Sequence, residues 1–502
     1  MTNRTTITGH RGLDHEEPLI FELGSPENCG VDLPEPAAVE SRLGGAERTT
    51  PVGLPGLSEP RVIRHYHRLS RQNYSIDGGF YPLGSCTMKY NPRLNEKVAR
   101  LPGLGDIHPL QPEETVQGAL ELMHTCAQWL IALTGMPGIA LSPGAGAQGE
   151  LVGLMTIRTA LEDRGNARKF VLVPESAHGT NPASAHACGY EVRSIPDDGR
   201  GRVDLEAFTA ALDQDVAALM LTNPNTCGLF ENDIVRIADA LHDAGAFFYC
   251  DGANFNALVG RVRPGDLGID TMHLNLHKTF STPHGGGGPG SGPVVFSEAL
   301  APYAPLPAVI EENGRFRLIE HARDSADKPF GRVKGFHGQF GMFVRALSYM
   351  MSLGSDGLRQ VSSDAVLNAN YLLTRLSDVL HLPFEGPCMH EVLFDDRSLK
   401  ETAVTTLDLA KALLDEGFHP MTIYFPLVVH GAMLMEPTET EGKRTLDSFI
   451  EAIRGLVRQA QAGEGDILKN APYLTPRRRL DETGAARRPI LRWRPEQADA
   501  AE

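Results

Sequence analysis

The run His273-Leu274-Asn275-Leu276-His277-Lys278-Thr279-Phe280-Ser281-Thr282-Pro283-His284 leads into four consecutive glycines at 285–288. It sets one lysine, Lys278, between a strand-like apolar segment and a flexible loop. An amine held there is placed to form a Schiff base with a carbonyl compound. Pyridoxal phosphate (PLP) is the commonest carbonyl cofactor that uses lysine this way. Upstream, Phe247-Phe248-Tyr249-Cys250-Asp251-Gly252-Ala253-Asn254 ends an apolar strand on a carboxylate, 27 residues before Lys278. That spacing accommodates one crossover between neighbouring parallel strands. An amine for the cofactor's aldehyde carbon and a carboxylate for its pyridine nitrogen are the pair PLP requires.

Working outward, the flanking sequence alternates helical and strand patterns. Thr115 to Thr134 carries Leu120, Met123, Ala127 and Leu130 on one helical face. A helix is expected from Gln148 to Leu161 and another from Ile234 to Ala244. Phe170–Pro174, Val216–Thr222 and Ala246–Cys250 read as short buried strands. This alternation implies an α/β fold with a mostly parallel sheet covered on both faces, whose ligands sit beyond the carboxyl ends of the strands. After residue 345, helices over Phe340–Leu353 and Asp364–Leu380 and strands over Cys388–Asp395 and Met421–Val429 suggest a smaller α+β lobe. The expected division is an N-terminal arm and turn-rich segment (1–100), a large PLP-binding domain (101–345), and a small C-terminal domain with a locally basic tail (346–502). Within the first of these, a helix is expected near Val62–Ser70.

Composition narrows the classes. The chain has 502 residues, 41% of them hydrophobic, and a formal net charge of −16. The acidity argues against a nucleic-acid partner and against binding anionic membrane by bulk charge. The seven cysteines are scattered, odd in number and without CxxC spacing, which disfavours a disulfide framework or a structural zinc site. With no apolar signal core and no run near the ~20 apolar residues of a membrane span, the cytoplasm is the expected compartment.

Three further motifs bear on chemistry. Ser142-Pro143-Gly144-Ala145-Gly146-Ala147-Gln148-Gly149-Glu150 is a small-residue turn opening a helix, suited to a phosphate through Gly146, Ala147 and Gln148, although a plain tight turn has the same composition. Ser176-Ala177-His178-Gly179-Thr180-Asn181 follows a strand and sets His178 to lie on a pyridine face; a loop histidine bonded to backbone is the competing reading. Asn223-Pro224-Asn225-Thr226 offers a side-chain donor to the cofactor's 3′ oxygen, or is simply a turn. Asp251 itself has an alternative as a helix N-cap. A metal site at His284 lacks carboxylates or cysteines at ligand spacing. Cys86 lacks a His-Asn set, and no serine sits in a G-x-S-x-G elbow.

On these motifs the chain resembles fold-type-I PLP enzymes. More closely it resembles the P-protein family of the glycine cleavage system. The resemblance rests on Pro82 to Pro92, Ala177 to Ala183, Asp251 to Asn254, His273 to Pro293, His419 to Pro426, Glu436 to Glu441 and Arg479 to Thr483. It implies a catalytic second subunit with PLP bound covalently to Lys278, and cofactor contacts from Gly146, Ala147, Gln148, His178, Thr226, Asp251, Ala253 and His277. It also implies glycine as substrate, a first-subunit partner in a heterotetramer, and a lipoylated H-protein that accepts the aminomethyl group. Ala145 lacks a hydroxyl often found at its place, so phosphate contacts would lean on backbone N–H groups. Ser85, Cys86, Thr87 and His108 have no assigned role, and no residue is assigned to the glycine carboxylate. Another fold-type-I amino-acid decarboxylase or aminotransferase, and a PLP-fold subunit that only scaffolds a complex, remain the competing readings.

Overall fold

A computed structural model describes residues 17–493 apart from 26, 27, 32, 35, 36, 38, 51 and 287. The chain divides into two compact units: the residues up to Ser75 together with those from Asn470 onward, and Ile76–Lys469. In the first unit, the helix Glu59–Arg71 covers the span where one was expected. The described part of the basic tail is largely exposed, and Arg494 lies outside the described residues.

The second unit is built on a seven-stranded sheet. In chain order its strands are β1 (Gly138–Ala140), β2 (Phe170–Pro174), β3 (Glu191–Ile195), β4 (Val216–Thr222), β5 (Phe247–Asp251), β6 (Thr271–His273) and β7 (Val294–Phe296). Their spatial order is β1-β7-β6-β5-β4-β2-β3. Strands β3, β2, β4, β5 and β6 are mutually parallel, while β7 runs antiparallel to both β6 and β1. Every residue of β4 and β5 is buried, which is why they read as unbroken apolar runs. Asp251 and Lys278 therefore do follow neighbouring parallel strands.

The helices Gln117–Thr134, Gly146–Asp163 and Ile234–Asp243 match the expected ones to within two residues. Two expectations need adjustment. The helices expected over Phe340–Leu353 and Asp364–Leu380 form one span, Phe340–Leu376, broken at Gly354, whose φ of 62° is not helical. The strand expected over Met421–Val429 shrinks to β11 below, because Tyr424 sits at φ 58° and the chain then meets Pro426.

A hairpin, β8 (Ala308–Glu312) and β9 (Arg315–Ile319), precedes the long helix. Beyond it lies an antiparallel three-stranded sheet of β10 (Val392–Phe394), β11 (Thr422–Ile423) and β12 (Met433–Met435), ordered β10-β12-β11. The loop at residues 82–92 is bound to this small sheet. Leu83 bridges to Met435, Gly84 N donates to Leu434 O at 3.3 Å, and Thr422 Oγ1 donates to Gly84 O at 2.7 Å. The approach demands glycine at 84: a Cβ would lie 2.4 Å from Leu434 Cγ and 2.6 Å from its carbonyl oxygen. Among the described residues, no helix is long and apolar enough to cross a membrane.

Candidate active site

At the carboxyl ends of β4, β5 and β6 lies a cavity of about 220 Å³. The sheet supplies Thr222, Asp251 and His273 directly as strand ends, and Lys278 through the turn after β6. Ligands gather there because the loops diverge where the strands stop.

Asp251 forms the polar floor. Asn181 Nδ2 donates to its Oδ2 at 3.0 Å, the Ala253 amide donates to its Oδ1 at 2.9 Å, and His273 Nε2 stands 3.3 Å from Oδ1. Burial by itself would push this carboxyl up. The field of His273, the Asn181 and Ala253 hydrogen bonds and the charge of Lys278 outweigh it and hold Asp251 below the ordinary carboxylate range. His273 is fixed in turn by Tyr249, whose Oη lies 2.5 Å from Nδ1. Gly252 lets the chain turn here, since a Cβ would lie 1.8 Å from the His273 carbonyl oxygen.

The helix Gly146–Asp163 opens at the cavity wall. Its N-cap, Ala145, offers no side-chain hydrogen bond, so the first amides remain available to an anion. Gly146 and Ala147 line the cavity. Gln148 does not: its Oε1 accepts from Gly144 N at 2.7 Å and its Nε2 donates to Val333 O at 3.2 Å, so the side chain closes the turn rather than facing the ligand space. One turn on, buried Glu150 accepts from Thr180 Oγ1 at 2.7 Å and from Ser184 Oγ at 2.9 Å. Thr180 Oγ1 also lies 2.7 Å from His178 Nδ1, which ties the His178 loop to the phosphate-loop helix. His178 is on the open side of the cavity, with the Phe425 ring edge-on at 5.8 Å.

Lys278 Nζ donates to the Ser85 carbonyl at 3.0 Å. His277 and His284 meet edge to face, with ring centroids 5.1 Å apart. Burial pushes the first down to about 3 and the second to about 4, aided by Lys278, so both are neutral. Thr226 Oγ1 donates to the Ser176 carbonyl and still borders the cavity.

The residues fit a pyridoxal phosphate. A buried carboxylate with three donors suits a protonated pyridine, an uncapped helix start suits a phosphate, and Thr222 Oγ1 is buried at the cavity without a hydrogen-bond partner. The cavity brings together Gly146, Ala147, His178, Thr226, Asp251, Ala253, His277 and Lys278 of the expected set, and leaves Gln148 outside. Sequence reasoning assigned no role to Glu150, Thr180, His273, Asn275 or Ser85, which also line it. His273 and Asn275 stood inside the Lys278 run, so their even spacing from a strand end was the available signal. Of two carboxyls near Lys278, Glu391 gave none, and Glu436 stood only in the stretch Glu436 to Glu441 that carries the family resemblance, with no role assigned. His108 lies away from this cavity, with its ring accepting from the Leu110 amide at 3.1 Å.

Residues 361–473 match the family model for the glycine dehydrogenase C-terminal domain, and residues 137–288 match that for class-V aminotransferases. A probable glycine dehydrogenase (decarboxylating) subunit 2 from Caulobacter vibrioides is 64% identical, covering 98% of this chain and 94% of that protein. Proteins of the same description from Desulforamulus reducens and Thermotoga petrophila are each 52% identical, covering 96% and 95% of this chain and 100% and 99% of their own lengths. A crystal structure of a glycine decarboxylase (P-protein) of the glycine cleavage system, in inhibitor-bound form, superposes with a TM-score of 0.68 at 23% identity, covering 86% of this chain and 92% of the other. A NifS-like protein superposes at 0.59 with 14% identity, over 76% of this chain and 99% of its own.

Proposed function

Because the chain belongs to the family of glycine dehydrogenase (decarboxylating) subunit 2, we propose that it decarboxylates glycine with PLP and passes the aminomethyl group to the lipoyl arm of an H-protein. The observation that carries the reading is the pairing of the Lys278 amine with an Asp251 carboxylate held ionised, in one cavity at the carboxyl ends of β4 to β6. The relatives' designation as a second subunit supports a first-subunit partner; an assembly of two copies of each is what the resemblance of the sequence motifs implies.

The roles divide by chemistry. Lys278 supplies the amine that binds the cofactor's carbonyl carbon. Gly146 and Ala147 offer main-chain N–H groups to the phosphate, and the dipole of an 18-residue helix favours the anion there. Asp251 keeps a proton on the pyridine nitrogen, and Asn181 and His273 keep Asp251 ionised so that it does. The exposed His178 ring would cover the cofactor from the open side. Thr226, Ala253 and His277 shape the remaining wall. When bound, PLP supplies an electron sink for the pair left as CO₂ departs. Neutral His277 and His284 add no positive charge that would bind the departing carboxylate.

Borohydride reduction of the protein with PLP, followed by peptide mass mapping, tests the cofactor assignment. The expected result is a pyridoxyl adduct on Lys278; an adduct on another lysine overturns it. Glycine-dependent CO₂ release should then require the first subunit and a lipoylated H-protein. Pyridoxamine phosphate accumulating with longer amino acids would instead identify an aminotransferase.

A further inference from the structure

Glu391 immediately precedes β10 and Glu436 immediately follows β12. The antiparallel register pairs Val392 with Met435, and carried one residue further it sets Glu391 opposite Glu436. Like charges directly opposite across a strand pair repel. Here both are fully buried, and one polar atom from each, with one from His390, lie within 4.8 Å of one another. Glu436 Oε2 and both His390 ring nitrogens have no hydrogen-bond partner. Burial holds His390 neutral, down to about 3.

The loop at residues 82–92 connects this pair to the reactive lysine. Ser85 N donates to Glu391 Oε2 at 2.7 Å, and Ser85 O accepts from Lys278 Nζ at 3.0 Å. Ser85 sits at φ 61°, a left-handed conformation that a serine holds only when its surroundings impose it. Thr87 Oγ1 donates to Glu436 Oε1 at 2.5 Å, so both carboxyls grip the same loop. Other charges nearby are already engaged: Lys89 is buried against Glu439 Oε1 at 2.7 Å, Asn256 and Tyr349. Cys86, Cys227 and Cys388 also face the carboxyls, and burial pushes all three thiols up and keeps them neutral. Lys278 is the cation left to answer the pair.

We infer that Glu391 and Glu436 hold one proton between them and, through the Ser85 peptide, form the resting place of the Lys278 ammonium whenever that amine is not bonded to a carbonyl carbon. This rests on the reading of Lys278 as the carbonyl-binding lysine. Replacing one amine by another on the cofactor releases the lysine, and a released ammonium in a buried site needs an acceptor and a counter-charge. The Ser85 carbonyl is the acceptor. Near pH 8 the pair carries one negative charge: two would be too costly to bury, and none would leave the ammonium unmatched.

The test uses the PLP-loaded protein and methylamine, which displaces lysine without having a carboxylate to lose. Borohydride freezes the exchange, and mass spectrometry gives the fraction of cofactor still on Lys278. In the double variant Glu391→Gln with Glu436→Gln, the methylamine needed for half-displacement should match wild type near pH 6 and exceed it by on the order of tenfold at pH 8, since a full unit of coupling is tenfold in equilibrium. Glu436→Gln alone removes the carboxyl that ionises first, and burial keeps Glu391 well above the ordinary range. It should therefore follow the double variant, matching wild type near pH 6 and needing more methylamine at pH 8. A variant-to-wild-type ratio that stays near one at both pH values overturns the inference. So does a divalent cation that copurifies stoichiometrically and is lost in Glu436→Gln. Absence of any Lys278 adduct in untreated wild type would instead overturn the assignment of the lysine itself.

Discussion

Asp251 and Glu436 are both buried carboxylic acids that feel Lys278, and they are pushed in opposite directions. Asp251 receives a side-chain amide, a backbone amide and a histidine, and stays below the ordinary range. Glu436 has the Thr87 hydroxyl on one oxygen and nothing on the other, faces Glu391, and is raised to about 7, first of all by burial. Glu391 is raised well above the usual value for the same reason, reinforced by Glu436. Burial is common to both sites, so the hydrogen-bond donors and the neighbouring charge decide the outcome. The result is one carboxylate kept charged at the cavity floor and one carboxyl pair kept partly protonated near the lysine. Environments that push like groups apart are how one fold separates acid and base roles.

The largest expected effect comes from removing the cation that both sites share. Lys278→Ala should abolish the borohydride adduct and lower glycine decarboxylation by at least about 10³-fold, because both the cofactor's anchor and the amine are lost. Turnover within about tenfold of wild type would end the comparison, since neither carboxyl site would then serve a reactive lysine.

Asp251→Asn keeps the shape and removes the charge. Turnover should fall by about 10²- to 10³-fold, a range typical of losing one preorganised electrostatic contact. The protein should still fold and still give the Lys278 adduct. If Asp251→Asn were as active as wild type, the donors around Asp251 would be structural only.

Glu436→Gln tests the other side through stability. A carboxyl whose folded pKa is raised from 4.5 to about 7 binds more protons folded than unfolded across that interval, so it destabilises increasingly as pH rises through it. The penalty is absent below 4.5 and complete above about 7, where it is on the order of 3 kcal/mol before coupling to Glu391 is allowed for. Thermal melts should show the variant equal to wild type near pH 4.5 and more stable at pH 8. A variant less stable than wild type at pH 8 would mean that Glu436 is already paired and charged.

The two sites also differ in how far they were legible in the sequence. Asp251, His178 and Lys278 each end or follow a strand, and β4 and β5 are continuous apolar runs, so local pattern located both the sheet and the groups at its edge. Glu391 and Glu436 flank strands of a different sheet, far along the chain; Glu391 reaches Lys278 through the Ser85 peptide, and Glu436 holds the same loop through Thr87. No spacing rule connects them. Gln148 marks a third limit. Its motif correctly locates a helix start beside the cavity, but side-chain direction depends on the Gly144 amide and the Val333 carbonyl, which the motif does not contain. The shortening of the strand expected at Met421–Val429 is of the same kind, a backbone turn at Tyr424 that apolar content conceals.

The smallest expected effect concerns Cys86, which lies in the loop between the two sites. Its Sγ is 3.5 Å from His284 Nε2, an arrangement that resembles an activated thiol. The comparison argues otherwise. Burial and the two glutamates push this thiol above its ordinary value of 9.0, Lys278 opposes them without prevailing, and His284 is neutral. At pH 7.5 less than about 3% would then be thiolate. Iodoacetamide should alkylate exposed Cys29 first and leave Cys86 largely unmodified at that pH. In Glu391→Gln with Glu436→Gln the thiol loses its negative neighbours while Lys278 remains, so Cys86 labelling should rise by a few-fold, about what half a unit of pKa supplies. Labelling of Cys86 as fast as Cys29 in the wild-type protein would show that the glutamate pair exerts no field on this loop.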